Sequence, residues 1–152
     1  HRVDRRQRQM CIRDRLYSEY NEKHLNDIYQ IYNSVGWANH NKNNINEIFN
    51  NSTFVTLASY NDKIIGFARA LSDGVFNAAI YDLVVKKEFQ SQYIGIQILN
   101  HILTQIGSLS CVHLVSTTNN VKFYEKAGFR KLKTGMAIYQ SEALKMEYTE
   151  KT

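Results

Sequence analysis

Residues 78–106 constrain the fold more than any other stretch. From Ala78 to Val85 the chain is dense in apolar and β-branched residues, the composition of a central strand buried on both faces. A helix follows directly: Ile94, Ile98, Leu99, Ile102, Leu103 and Ile106 form one continuous apolar stripe, and Gly107 caps its end. A buried strand feeding an amphipathic helix needs a sheet face beneath that helix and other strands beside the strand. The pair therefore predicts a mixed α/β domain.

The flanking segments supply the missing parts. Leu16 to Tyr20 is strand-like, and Leu25, Ile28, Ile31, Tyr32 and Val35 recur at helical spacing until Gly36 ends the helix. A shorter helix is expected around Ile45, Ile48 and Phe49, closed by Asn50-Asn51-Ser52. Phe54 to Ser59 and Lys63 to Leu71 read as a hairpin joined at Asn61-Asp62, and a Ser72-Asp73-Gly74 turn leads into the central strand. Beyond it come a strand at Val112 to Val115, a short helix at Val121 to Ala127 stopped by Gly128, and a last strand at Met136 to Tyr139. The expectation is an α/β (α+β) fold: one sheet of about six strands with helices on both faces.

A chain of 152 residues is about one domain. With 43% hydrophobic and 22% charged residues it matches neither a disordered nor a membrane protein, and no apolar run approaches the roughly 20 residues of a membrane span. A cytoplasmic protein is expected. The net charge of +5 suggests nucleic-acid binding until its distribution is read. Residues 1–15 hold Arg2, Arg5, Arg6, Arg8, Arg13 and Arg15 against Asp4 and Asp14, which leaves the rest of the chain at +1. That segment has no apolar period and is set apart as a non-native or disordered basic stretch. The folded domain is placed at 16–140 and a C-terminal tail at 141–152, with no nucleic-acid or membrane partner. Cys11 and Cys111 make no disulfide framework, and the five histidines lack metal-ligand spacing, so no metal is expected.

The chemistry sits where the central strand meets the long helix. Val84-Val85-Lys86-Lys87-Glu88-Phe89-Gln90-Ser91-Gln92-Tyr93-Ile94-Gly95 is a strand-to-helix turn, which offers backbone N–H groups and partial positive charge to an anion such as a pyrophosphate. Such turns are common in α/β proteins. Gln90-Ser91-Gln92-Tyr93-Ile94-Gly95, however, resembles the acetyl-CoA pyrophosphate loop of the GNAT superfamily, Gln/Arg-x-x-Gly-x-Gly/Ala. Here Tyr93 replaces the first glycine, so its side chain must point away from the cofactor. About thirty residues on, Asn119-Asn120-Val121-Lys122-Phe123-Tyr124-Glu125-Lys126-Ala127-Gly128-Phe129 resembles the superfamily's Phe-Tyr-x-x-x-Gly-Phe motif. The run Gly66-Phe67-Ala68-Arg69-Ala70-Leu71-Ser72-Asp73-Gly74-Val75-Phe76-Asn77-Ala78-Ala79-Ile80-Tyr81-Asp82-Leu83-Val84-Val85 and the segment Ser34-Val35-Gly36-Trp37 are similar to plastid GNAT enzymes that acetylate serotonin and protein lysines, and to small bacterial relatives.

The resemblance implies a mostly antiparallel central sheet and an N-acetyltransferase that uses acetyl-CoA. It implies that Leu83, Val84 and Val85 pair with the pantetheine arm, that Gln90, Ser91, Gln92, Tyr93, Ile94, Gly95 and Ile96 form the diphosphate loop, and that Asn119, Asn120 and Tyr124 complete the donor site. Tyr124 would protonate the departing thiolate; otherwise it is a half-buried aromatic with a wet tip. Asp82 and Tyr81 are candidates for acting on the acceptor amine, although an aspartate in an apolar strand also needs a structural partner. Trp37, Arg69, Asn77 and Tyr81 are candidates for binding the acceptor. Trp37 could instead be a core lid, and Arg69 a salt-bridged arginine. The expected partner is a small-molecule amine or a lysine-bearing peptide, and the protein a monomer or homodimer. Tyr93 in place of glycine leaves one alternative, a catalytically silent acyl-CoA-binding or regulatory domain.

Overall fold

A computed structural model describes residues 15–151; of the basic segment 1–15, residues 1–14 lie outside the described residues, and Arg15 opens the first strand rather than lying outside the domain. The chain divides between Val115 and Ser116 into two compact units.

The first unit holds the sheet. Its strands are β1 (Arg15–Tyr17), β2 (Phe54–Tyr60), β3 (Lys63–Ser72), β4 (Asn77–Val85) and β5 (Cys111–Leu114), lying side by side in chain order. The first four pair antiparallel, and β5 joins β4 in parallel. Helices α1 (Leu25–Ser34), α2 (Lys42–Asn50) and α3 (Ile94–Ile106) complete the unit. A parallel neighbour requires a crossover, and α3 is that crossover. The β2–β3 turn puts both Asn61 and Asp62 at positive φ, the conformation in which a two-residue hairpin matches the strand twist.

One core cluster joins Ile28, Ile31 and Tyr32 of α1 and Ile45 and Phe49 of α2 to Val55, Leu57, Phe67 and Val84 of the sheet. Ile94, Ile98, Leu99, Ile102 and Ile106 form the buried stripe of α3. That helix is pinned to β2 by a polar triad: fully buried Thr56 Oγ1 lies 2.8 Å from His101 Nδ1, and Gln105 Nε2 donates to Thr56 Oγ1 at 2.9 Å. Gly66 of β3 permits the close approach, because a Cβ there would sit 2.8 Å from Ile98 Cδ1 and 3.1 Å from Val84 O. No helix among the described residues is long and apolar enough to cross a membrane.

Two expectations for the sheet are corrected. β2, not β4, is the strand buried along its length; in β4, Asn77 and Tyr81 are exposed, Tyr81 by 44%. The sheet also has five described strands rather than about six, because Met136 to Tyr139 forms no ladder. Met136 is 98% and Ile138 92% exposed. Strand-like residues become a strand only when a neighbouring backbone takes their hydrogen bonds.

The second unit contains α4 (Val121–Lys126) and α5 (Glu142–Tyr148). The latter falls in the segment read as a tail. Its start is signalled locally, since Ser141 Oγ accepts from Leu144 N and Glu142 occupies the first turn.

Candidate active site

Strand β4 carries the feature around which the site is built. Phe67 pairs with Val84 and Arg69 with Tyr81, so Asp82 and Leu83 together oppose the single residue Ala68. That is a β-bulge, and Asp82 occupies it at φ +52°. The bulge interrupts the alternation of faces along a strand, and just past it Val84 and Val85 are both buried. β5 pairs with β4 only from Asn77 to Ile80. Past Ile80 the β4 edge has no strand partner among the described residues, and of its backbone groups there Val85 O is already taken by the Gln90 side chain.

The carboxylate of Asp82 is the polar centre of the bulge. Its Oδ2 accepts from Arg69 Nε at 2.8 Å and from Tyr32 Oη at 2.9 Å. Asp82 and Arg69 side chains are each 15% exposed, and the Arg69 guanidinium carbon lies 5.2 Å from the centroid of Tyr81, its register partner across the strands. Arg69 is thus an ion-paired residue rather than a free anion receptor. Tyr32 has no exposed surface. Burial first, and then the neighbouring Asp82 charge, push its ionisation far above the ordinary tyrosine range. The phenol is a permanent donor.

Around Tyr32 lie Phe67 at 4.9 Å, His40 stacked at 4.4 Å and Trp37 at 5.7 Å between ring centroids. Trp37 packs against the core as a partly buried residue, and His40 Nδ1 is buried without a hydrogen-bond partner among the described residues. Asn77 is not brought to this cluster. It begins β4 five residues before Asp82, about 17 Å away along an extended strand. There its N–H donates to Asp73 Oδ1 and its carbonyl accepts from Ser72 Oγ, which closes the β3–β4 turn.

The turn from β4 into α3 is held by a 3-10 turn at Lys87–Phe89 and by Gln90, whose Nε2 donates to Val85 O at 3.0 Å. Ser91 and Tyr93 adopt φ of +67° and +65°. Tyr93 caps α3 in the left-handed conformation with no side-chain hydrogen bond, and it is 61% exposed. It does with its backbone what a glycine would do there, and its ring stands in solvent. The first N–H groups of α3, from Ile94, Gly95 and Ile96, are left for an anion.

Tyr124 belongs to the second unit, as do Asn119 and Asn120 of the 3-10 turn before α4. Asn120 Nδ2 donates to Thr117 Oγ1 at 2.6 Å. Tyr124 sits edge-on to Phe123 at 5.0 Å and to Phe129 at 5.8 Å. Burial raises its ionisation to about 12, so it carries its proton at neutral pH.

The bulged β4, unpaired by β5 beyond Ile80, thus runs through one turn into the uncapped start of α3. Residues 19–150 match the family model of the acetyltransferase (GNAT) domain, and the chain belongs to that family. It is 30% identical over 126 residues to the uncharacterised N-acetyltransferase ycf52 of Pyropia yezoensis, covering 79% of this chain and 72% of that protein. It is 27% identical over 121 residues to the chloroplastic serotonin N-acetyltransferase 2 of Oryza sativa subsp. japonica, covering 74% of this chain but 60% of that one. Among solved structures, a GNAT-family acetyltransferase of Streptococcus pneumoniae superposes with a TM-score of 0.72 at 26% identity, over 85% of this chain and 98% of that one.

Asp82, Tyr81, Arg69 and Trp37 are legible as candidates in the sequence, whereas Tyr32 and His40 are not. Tyr32 looked like one more apolar member of a helix stripe. Nothing local marks it, because its partner is Asp82, 50 residues away.

Proposed function

We propose that this chain transfers an acetyl group from acetyl-CoA to a primary amine by direct attack in a ternary complex. The observation that carries this reading is the β4 bulge at Asp82, where the strand's free edge runs on into the uncapped start of α3. An extended pantetheine arm can pair with the backbone of Leu83 to Val85. The amides of Gln92 to Ile96 can meet the diphosphate. Bound acetyl-CoA supplies the activated acetyl carbon. A main-chain N–H of Leu83 or Val84 then faces the acetyl oxygen as negative charge develops on it.

In this reading Asp82 receives the acceptor amine and Tyr81 flanks it. The amine nitrogen forms a bond to the acetyl carbon as the carbon–sulfur bond breaks. The amine's proton leaves to Asp82 or to a bound water, and Tyr124 gives its phenolic proton to the departing sulfur. The acceptor is a small amine or a lysine-bearing peptide, with the partly exposed Trp37 supplying apolar surface. The silent-domain alternative rested on Tyr93, and an exposed tyrosine in a glycine's conformation no longer supports it.

The test is a calorimetric titration with acetyl-CoA, followed by a thiol-release assay against tryptamine, spermidine and a lysine peptide. Saturable binding with thiol release on at least one amine is expected. Absence of acetyl-CoA binding at millimolar concentration would overturn the reading.

A further inference from the structure

We infer that Tyr32 and Arg69 are positioning residues: together they hold one carboxylate oxygen of Asp82 so that the other is kept for the acceptor amine. The inference rests on Asp82 receiving that amine, as proposed above. Both hydrogen bonds that described side chains give to Asp82 end on Oδ2, from Tyr32 Oη at 2.9 Å and Arg69 Nε at 2.8 Å. Oδ1 takes neither. Were the two donors divided between the oxygens, each oxygen would already be engaged by a strong, charge-assisted partner.

The acceptor and both donors are themselves fixed. Asp82 lies at φ +52° in the bulge, and a non-glycine residue persists there only where its surroundings over-determine it. Arg69 is gripped between that carboxylate and the Tyr81 ring, 5.2 Å from its guanidinium carbon. Tyr32 is enclosed by Phe67 from β3 and by Trp37 and His40 from the loop after α1, the His40 ring lying within 11° of parallel to it. This loop therefore reaches the reacting end of Asp82 through Tyr32. Because the phenol keeps its proton, it serves as a donor only and competes with no base.

Tyr32→Phe removes the hydroxyl while keeping every ring contact, which separates positioning from packing. The experiment measures kcat, and KM for both substrates, in wild type, Tyr32→Phe, Asp82→Asn, the double variant and Arg69→Lys. It uses whichever of tryptamine, spermidine or the lysine peptide turns over fastest, with thermal melts as the folding control. Tyr32→Phe should lower kcat about tenfold and leave KM for acetyl-CoA unchanged. In the Asp82→Asn background the same substitution should change kcat by less than about twofold, since the carboxylate it orients is gone. Arg69→Lys keeps the charge, loses the Nε donor, and should also lose about tenfold. If Tyr32→Phe melts below the assay temperature, Arg69→Lys in the two backgrounds carries the same cycle.

Equal losses from Tyr32→Phe in both backgrounds would make the tyrosine merely structural and overturn the inference. So would wild-type turnover in Tyr32→Phe and Arg69→Lys while Asp82→Asn is impaired, and in that case the acceptor role of Asp82 stands. Wild-type turnover in Asp82→Asn would remove that role and the inference with it.

Discussion

Two helix ends in this protein are built alike and used differently. Helix α1 ends at Tyr32-Asn33-Ser34-Val35-Gly36-Trp37 and α4 at Tyr124-Glu125-Lys126-Ala127-Gly128-Phe129. In each, a glycine at positive φ turns the chain, at +87° for Gly36 and +101° for Gly128. The glycine N–H returns to the carbonyl three residues back, at 3.1 Å in both. The following aromatic residue donates its N–H to the tyrosine carbonyl, at 2.9 Å from Trp37 and 3.0 Å from Phe129. Its ring rests against the tyrosine ring, 5.7 Å away in one case and 5.8 Å in the other. Both are Schellman caps with their accompanying apolar contact. The cap fixes a tyrosine, and its hydroxyl then takes the role its surroundings give it. Tyr32 is locked onto a carboxylate. The Tyr124 hydroxyl makes no such bond among the described residues, which leaves its proton available.

The sharpest break in the comparison is to delete each hydroxyl. Tyr124→Phe should lower turnover by about a hundredfold, as expected for losing a general acid, with acetyl-CoA affinity measured by calorimetry little changed. Equal turnover would remove Tyr124 from proton transfer. Tyr32→Phe should cost about a tenth as much, with the background dependence set out above.

The caps themselves come next. Gly36→Ala and Gly128→Ala each force a Cβ into the left-handed region, and each should cost about 1 kcal/mol and lower the melting temperature by a few degrees. Neither Cβ would meet another atom within 4 Å, so the loss measures backbone strain rather than a clash. Gly36→Ala should also impair turnover in proportion to the displacement of Tyr32, and in the Tyr32→Phe background that further impairment should disappear.

A smaller effect is expected with pH. Because burial raises Tyr124 ionisation to about 12 from 10.0, the stability gained by keeping it neutral is fully present below pH 10 and is lost as pH rises towards about 12. Across that window the denaturant midpoint of wild type should fall relative to that of Tyr124→Phe. The smallest change is Tyr93→Gly. It relieves a tyrosine held at φ +65° and should raise stability by up to about 1 kcal/mol, leaving acetyl-CoA affinity unchanged because the exposed ring takes no part in the loop.

Most elements were readable because their signals are local. The apolar stripe of α3, the Asn61-Asp62 turn and the glycines closing α1, α3 and α4 need only neighbouring residues to explain them. The Ser141 cap of α5 was equally local and was passed over. The strand expected at Met136 to Tyr139 failed for the opposite reason: local composition cannot supply the neighbour a ladder requires.

What the sequence determined by itself was the family, the order of helices and strands as far as α4, and the glycines that end α1, α3 and α4, because propensity, caps and motif spacing act within a few residues. What only the tertiary structure decided was the bulge that turns Asp82 out of alternation, the pairing of Arg69 with it, and the meeting of Tyr32 with Asp82 across 50 residues. A hydrogen bond between distant segments depends on how the sheet and helix pack, and no single stretch of chain encodes that.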